Sequence, residues 1–314
     1  MDSIKSKVSN FFNSASKKFS NLSRNQKIVV GSFSAYFLYK FMKSSTKKPK
    51  NLNNEIVFIT GAASGIGKQL AYLLAKEGAK VVIVDINKDM AEKVADSLTA
   101  DGFQAIAIEC DVTSLESVKI ASNRVRNHFG DPTILINNAG IVSGKAITEI
   151  PIESVERTFK VNVISHFYTI KEFLPKMIEN DKGHIVTIAS LAGIVGLNRL
   201  TDYSASKFAA VGLDESLRNE LNAQGSNVKT TCINPFYVNT GMFDGVKTAI
   251  PMLKEDFVAR RILEAIKFDE KVVTIPNSLN YIYVLRALLS VDNFDRYLKG
   301  SRAYEPMKTF KGRN

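Results

Sequence analysis

Cysteine and histidine are scarce in this chain, and tryptophan is missing. Cys110 and Cys232 are the only cysteines among 314 residues, and His128, His166 and His184 the only histidines. None of these has a metal-ligand spacing to the others, so no metal site is expected. Both thiols sit inside apolar, strand-like runs and read as buried free thiols, which argues against a disulfide-built secreted fold. Internal repeats and low-complexity tracts are absent as well. That leaves one large domain or two small ones for this length. A hydrophobic content of 45% is enough for a substantial core.

The body of the chain also lacks net charge. The total of +11 would point to nucleic acid if it were spread over a folded surface. However, residues 1–50 hold eleven Lys or Arg against one acid, Asp2, while the other 264 residues hold 31 basic and 30 acidic groups. The basic excess therefore belongs to the N-terminal segment, and a nucleic-acid face on the domain is not expected.

A full-length apolar span is lacking in that segment too. Ile28 to Tyr39 is uncharged, and Phe41 and Met42 extend it past Lys40. A bilayer-spanning helix needs about 20 apolar residues, so this run is short unless Lys40 snorkels to the headgroups. Upstream, Ile4, Val8, Phe11, Phe12, Phe19 and Leu22 recur near helical spacing among Lys5, Lys7, Lys17 and Lys18. Such a basic amphipathic helix can lie in a membrane interface and bind anionic lipid. Membrane anchoring is the favoured reading. An organelle presequence and an ordinary packed helix stay open, because residues 3–27 are basic, Ser-rich and almost free of acids. Basic residues flank the apolar run on both sides, so the positive-inside rule sets no orientation. Residues 44–51 read as a polar linker.

What is present from residue 54 onward is alternation. The expected strands are 56–60, 81–85, 105–110, 134–136, 184–189, 228–233 and 272–275. Between them lie helix patterns at 67–76, 90–98, 115–129, 155–178 and 203–223. Repeated βα units imply an α/β fold, a Rossmann-type doubly wound and mostly parallel seven-stranded sheet with helices on both faces. The chain divides into an anchoring segment with linker, 1–50, a catalytic domain, 51–275, and a C-terminal apolar helix with a basic tail, 276–314.

Thr60-Gly61-Ala62-Ala63-Ser64-Gly65-Ile66-Gly67 closes the first strand and opens the first helix. Glycines there let the backbone approach a pyrophosphate, and the helix start supplies amide donors. Asp85 ends the second strand, eighteen residues after Gly67. An acid at that point accepts hydrogen bonds from ribose hydroxyls and repels a 2′-phosphate, so NAD is expected rather than NADP. Tyr203 and Lys207 share a helix face at a spacing of four. An ammonium beside a phenol favours the phenolate, so the pair is expected to move a proton to or from an alcohol near neutral pH.

Taken together, these features resemble the short-chain dehydrogenase/reductase family over roughly residues 54–275. Thr60 to Gly67 matches its TGxxxGIG turn. Asp111 and Val112 match its adenine-contacting pair, and Asn137-Asn138-Ala139-Gly140 its NNAG motif. Asn162 stands where the family has its catalytic helix Asn. Ser190, thirteen residues before Tyr203, stands where it has its catalytic Ser. Tyr203 and Lys207 match YxxxK. Pro235, Val238 and Thr240 match PGxVxT, with Phe236 in place of the Gly, a departure that bears on pocket shape. The resemblance implies that Tyr203 is the general acid/base and that Ser190 holds the substrate oxygen. It implies that Lys207 tunes the phenol and binds the nicotinamide ribose, and that Asn162 keeps a water chain to Lys207. Nucleotide contacts are implied at Gly61, Ser64, Gly65, Ile66, Gly67, Asp85, Asp111, Val112, Asn138, Ala139, Gly140, Pro235, Val238 and Thr240, besides Tyr203 and Lys207.

Residues 183–190, 205–212, 228–232 and 239–243 look like the membrane-associated retinol and hydroxysteroid dehydrogenase subgroup. That resemblance implies an enzyme at the endoplasmic reticulum membrane or on lipid droplets, with its catalytic domain facing the cytosol. It also implies a homodimer built on the helices at 155–178 and 203–223. The expected reaction is hydride transfer between a lipophilic alcohol (retinoid, steroid or long-chain) and NAD. The alternatives are an NADPH-dependent carbonyl reductase and a nucleotide-binding membrane or lipid-droplet surface protein without chemistry. After the sixth strand, Phe236, Tyr237, Met242, Phe243, Ile250, Met252 and Leu253 offer an apolar cover for the substrate. A second apolar stretch, 279–291, reads either as a cap on the core or a partner subunit, or as a membrane contact beside the pocket mouth.

Overall fold

The computed structural model describes residues 48–312. The amphipathic and apolar runs proposed as an anchor lie outside these residues. Among the described residues, no helix is long and apolar enough to cross a membrane, and no group of three metal-ligating side chains comes together.

Seven strands form one sheet in the order β3-β2-β1-β4-β5-β6-β7, with every neighbouring pair parallel. They are β1 Ile56–Thr60, β2 Lys80–Asp85, β3 Ala105–Glu109, β4 Ile134–Asn137, β5 His184–Ile188, β6 Lys229–Pro235 and β7 Val272–Ile275. The order reverses between β1 and β4, which opens a crevice at the carboxyl ends of the strands. Strands covered on both faces read as continuous apolar runs, and β1 is buried along its whole length.

Successive side chains on each strand face opposite sides. Val57 and Ile59 of β1 pack with Val81 and Ile83 of β2 beneath three helices, α1 Gly65–Lys76, α2 Lys88–Ala100 and α7 Glu255–Lys267. Phe58 faces the other way, into a core shared with α3 Leu115–His128, α5 Ser165–Glu179 and α6 Thr201–Ala223. Its ring centroid lies 4.7 Å from that of Phe173. Helix starts are satisfied locally where the side chain allows it. Asn87 accepts from the Met90 amide and Ser114 from that of Ser117.

The long helix expected at 155–178 is not continuous. α4, Ile152–Phe159, passes through a π turn at Lys160–Ile164 before α5 begins. A π turn holds one extra residue and is common at functional sites. Asn162 sits within it, and its side chain is bonded to the Ile141 main chain.

After β7 the chain forms α8, Tyr281–Leu288, and α9, Val291–Gly300. Leu279, Ile282 and Leu298 pack on Leu191, Ile194 and Val195, so one side of the apolar stretch caps the core. Tyr281, Val284, Leu288 and Val291 stay exposed on the other side.

Candidate active site

The crevice holds a cavity of about 640 Å³. At one end it is lined by the glycine turn, Asp85, Asp111 and Val112. At its middle stand Ser190, Tyr203 and Lys207. Leu197, Leu200, Phe236, Tyr237, Met242 and Phe243 form the other end. Ser64, Gly65 and Ile66, then Asn138 to Gly140, and Pro235, Val238 and Thr240 also face it. Of the residues assigned from sequence, Gly67 and Asn162 do not line this space, nor do Ile250, Met252 and Leu253 of the expected apolar cover.

Backbone conformation makes the first end. Gly61 and Gly65 have φ of +63° and +57°, which side chains seldom adopt. A Cβ at Gly61 would stand 2.9 Å from Ala139 Cα, and one at Gly67 2.5 Å from the Gly61 carbonyl. Gly67 therefore serves close packing of α1 on the turn. Asn138 locks the same turn: its Nδ2 donates to the Thr60 and Gly61 carbonyls at 2.9 Å each. The Thr60 hydroxyl accepts from the amides of Asn138 and Ala139. Asp85 accepts from the Ala63 and Asn87 amides, which aims its carboxylate along the cavity wall. A bare glycine cradle at a helix start, with a carboxylate at the next strand end, fits a dinucleotide with a free 2′-hydroxyl.

At the middle, Tyr203 and Lys207 project from α6 and are both buried. Lys207 Nζ donates to the Ile188 carbonyl at 2.9 Å and lies 5.7 Å from the Tyr203 ring centroid. A Cβ on Gly140 would stand 3.5 Å from that Nζ, so the NNAG backbone runs directly beside it. The Ser190 hydroxyl accepts from the Ala192 amide and donates to the Pro235 carbonyl at 3.5 Å.

Burial sets the electrostatics of the pair. It pushes the Tyr203 phenol up to about 12, with its hydrogen bond to Ser190 pulling the other way. Burial also brings Lys207 down to about 8. Desolvation thus acts on both partners toward their neutral forms, against the phenolate that a neighbouring ammonium favours.

Asn162 is fully engaged. Its Oδ1 accepts from the Ile141 amide, and its Nδ2 donates to the Ile141 carbonyl and to Ser206 Oγ. Ser206 in turn donates to the Tyr203 carbonyl at 2.7 Å. Asn162 therefore braces the loop after β4 against the helix that carries Tyr203.

Several participants escaped the sequence reading. Asp202, next to Tyr203 and buried, accepts from Ser143 Oγ at 2.9 Å and Thr158 Oγ1 at 3.0 Å. His166 is buried without a partner on either ring nitrogen. Its imidazole is pushed down to about 3 by burial and by the Lys207 charge. The Tyr237 hydroxyl is likewise buried and unpartnered. Nothing local flags these groups, because their surroundings come from distant segments. The adjacency of Asp202 to Tyr203 was the one available signal.

Comparison with known proteins agrees with this geometry. Residues 55–250 match the family model for short chain dehydrogenase. The chain is 41% identical over 249 residues to human epidermal retinol dehydrogenase 2, covering 77% of this chain and 81% of that protein. It is 40% identical over 245 residues to human estradiol 17-beta-dehydrogenase 11, covering 77% and 82% respectively. Among solved structures, it is similar to a short chain dehydrogenase/reductase from Burkholderia phymatum in complex with NAD. The TM-score is 0.71 at 26% identity, over 76% of this chain and 94% of the other. On its motifs, its fold and these relatives, the chain belongs to the short chain dehydrogenase family, beside the retinol and estradiol dehydrogenases it resembles.

Proposed function

We propose that this enzyme transfers hydride between a lipophilic alcohol and NAD, with Tyr203 passing the proton. One observation carries the reading. A single cavity joins a nucleotide cradle, a buried Ser190–Tyr203–Lys207 group and an apolar end. NAD supplies the hydride acceptor when bound. Asp85 favours its free 2′-hydroxyl, and the similar Burkholderia structure holds NAD. Ser190 orients the substrate oxygen toward the Tyr203 hydroxyl. In oxidation the proton of the alcohol goes to Tyr203 once that phenol has released its own. In reduction Tyr203 donates its proton to the carbonyl oxygen. The Lys207 ammonium supports the phenolate form in either direction.

The apolar end suits a retinoid, a steroid or a long-chain alcohol, and relatives named for retinol and estradiol support this class. A second reading is NADPH-dependent carbonyl reduction, which the same cavity and the same proton-transfer group would serve. The basic, partly apolar N-terminal sequence supports a membrane or lipid-droplet surface, while the endoplasmic reticulum and a cytosolic catalytic domain rest on the subgroup resemblance alone. Exposed Ile164, Phe167 and Ile178, on or beside α5, support a homodimer along that helix.

The test is turnover of the full-length protein in lipid vesicles, with NAD and NADP, against retinols, hydroxysteroids and fatty alcohols. NAD-linked oxidation of at least one class is expected. Nucleotide binding without turnover of any alcohol, or of the matching carbonyls, would leave the non-catalytic reading instead.

A further inference from the structure

Asp202 is a buried carboxylate that the proton transfer does not use. It stands one residue before Tyr203, in the first turn of α6, and is 3% exposed. Leu200 offers no side-chain cap to this helix, and an acid in the first turn suits the positive end of the helix dipole. Each carboxylate oxygen takes one hydrogen bond from a different segment. Ser143 Oγ, in the loop after β4, donates to Oδ1 at 2.9 Å. Thr158 Oγ1, on α4, donates to Oδ2 at 3.0 Å. Thr158 has a second acceptor in the Ser154 carbonyl at 2.9 Å, so the Ser143 arm depends on Asp202 the more. Asp202, Ser143 and Thr158 all lie outside the cavity lining.

The Ser143 arm holds a segment that matters to Tyr203. Two residues earlier, the amide and carbonyl of Ile141 are both bonded by Asn162. Val142, between these points, packs on the buried group that contains Tyr203, Tyr237 and Phe243. The loop is therefore pinned on both sides of Val142. Both pins lead back to the first turns of α6. Asn162 reaches them through Ser206, which donates to the Tyr203 carbonyl, and Asp202 reaches Ser143 directly. A further link joins Arg199 to Glu149 at 3.0 Å, on the same loop, but it lies at the surface. Such exposed pairs contribute little, so Asp202 is the buried tie between this loop and the helix of Tyr203.

Resting on the alcohol-dehydrogenase reading of the cavity, we propose that Asp202 is a positioning residue for that reaction. By holding Ser143 and Thr158 it fixes the loop after β4, and α4, against the first turn of α6. That keeps the Tyr203 hydroxyl in line with the alcohol oxygen. Asp202 lines no part of the cavity, so it acts through Tyr203 and the loop. A misplacement of about 1 Å at reacting atoms can cost about a hundredfold in rate, which is the scale open to a residue of this kind.

Full-length wild type, Asp202→Ala, Asp202→Asn and Ser143→Ala, in phospholipid vesicles with NAD, would be compared per mole of folded protein on an alcohol that wild type oxidises. Asp202→Ala should lower kcat by about tenfold to a hundredfold, with KM and the calorimetric NAD affinity near wild type. Asp202→Asn should regain most of that loss, because its Oδ1 still accepts from Ser143 and Thr158 keeps the Ser154 carbonyl. Adding Ser143→Ala to Asp202→Ala should cost nothing further, since the two residues form one link. Wild-type kcat in folded Asp202→Ala overturns the proposal, and so do losses that multiply in the double variant. Should Asp202→Ala fail to fold, Ser143→Ala decides: kcat should fall at unchanged NAD affinity, and a wild-type kcat overturns the proposal. Hydrogen exchange without any alcohol supplies an independent readout. Ser143→Ala should speed exchange across residues 141–146 while the strands of the core keep their protection. Unchanged exchange there also overturns the link. A wild type that turns over no alcohol counts against the dehydrogenase reading, and the exchange result then decides the link by itself.

Discussion

At the Asp85 end of the cavity the wall is mostly main chain; at the Phe243 end it is mostly side chain. The first end consists of two positive-φ glycines, strand termini and amides held by Asn138 and Thr60. Its parts come from the ends of three successive strands, β1, β2 and β3, and the start of α1, with the loop after β4 laid across them. The second end is assembled from Leu197 and Leu200 and from Phe236, Tyr237, Met242 and Phe243, two groups separated by a long stretch of chain. A backbone cradle recognises what every dinucleotide shares. A side-chain wall can change with each substitution and so can follow the substrate.

The sharpest way to separate the two ends is to remove the proton between them. Tyr203→Phe should lower kcat/KM by about 10²–10⁴-fold, the usual worth of a positioned acid/base. NAD affinity measured by calorimetry should stay near the wild-type value, because the cradle is untouched. Substantial turnover in this variant would show that the seam between the ends does not carry the proton.

A smaller effect probes the buried layer under Lys207. His166 is held neutral, its imidazole pushed down to about 3 against an unfolded value near 6.5. Between those values the unfolded chain binds the extra proton, so this stability is present at neutral pH and is lost as pH falls below about 6.5. At pH 5 the loss amounts to about 2 kcal/mol. Urea unfolding at pH 7.5 and pH 5.0 should therefore differ less in His166→Gln than in wild type, by about that amount. An equal difference would mean that the imidazole is already paired.

The smallest change is asked of the main-chain end. Asp85→Ala removes the carboxylate but leaves the glycines, so NAD should still bind. The kcat/KM ratio of NADP to NAD should rise about tenfold, in keeping with loss of one charged hydrogen-bond acceptor. A fixed ratio would move nucleotide selection away from Asp85 and bring the two ends closer in character.

The sequence was legible where chemistry is local. The strands lie within a residue or two of their expected bounds, because each carries its own apolar run. The glycine turn, Asp85, Ser190, Tyr203 and Lys207 come to one cavity because each sits at a strand end or on the first turns of a helix. The π turn around Asn162 was not legible, since it changes how backbone groups pair within a stretch that stays helical throughout. The burial of Tyr203 was not legible for another reason. Spacing reveals the neighbouring ammonium, but only packing reveals how little water reaches the phenol.

By itself, then, the sequence determined the doubly wound sheet, the glycine turn and the placing of Tyr203 and Lys207 on one helix. Alternating patterns and glycine-rich turns act over a few residues and need no distant partner. Tertiary structure alone decided which side chains line the apolar end of the cavity and that Asp202 is held by Ser143 and Thr158. Apolar contacts have no spacing code. They exist only once separate loops have been brought together, and with them come the burial and the desolvation that act on Tyr203 and Lys207.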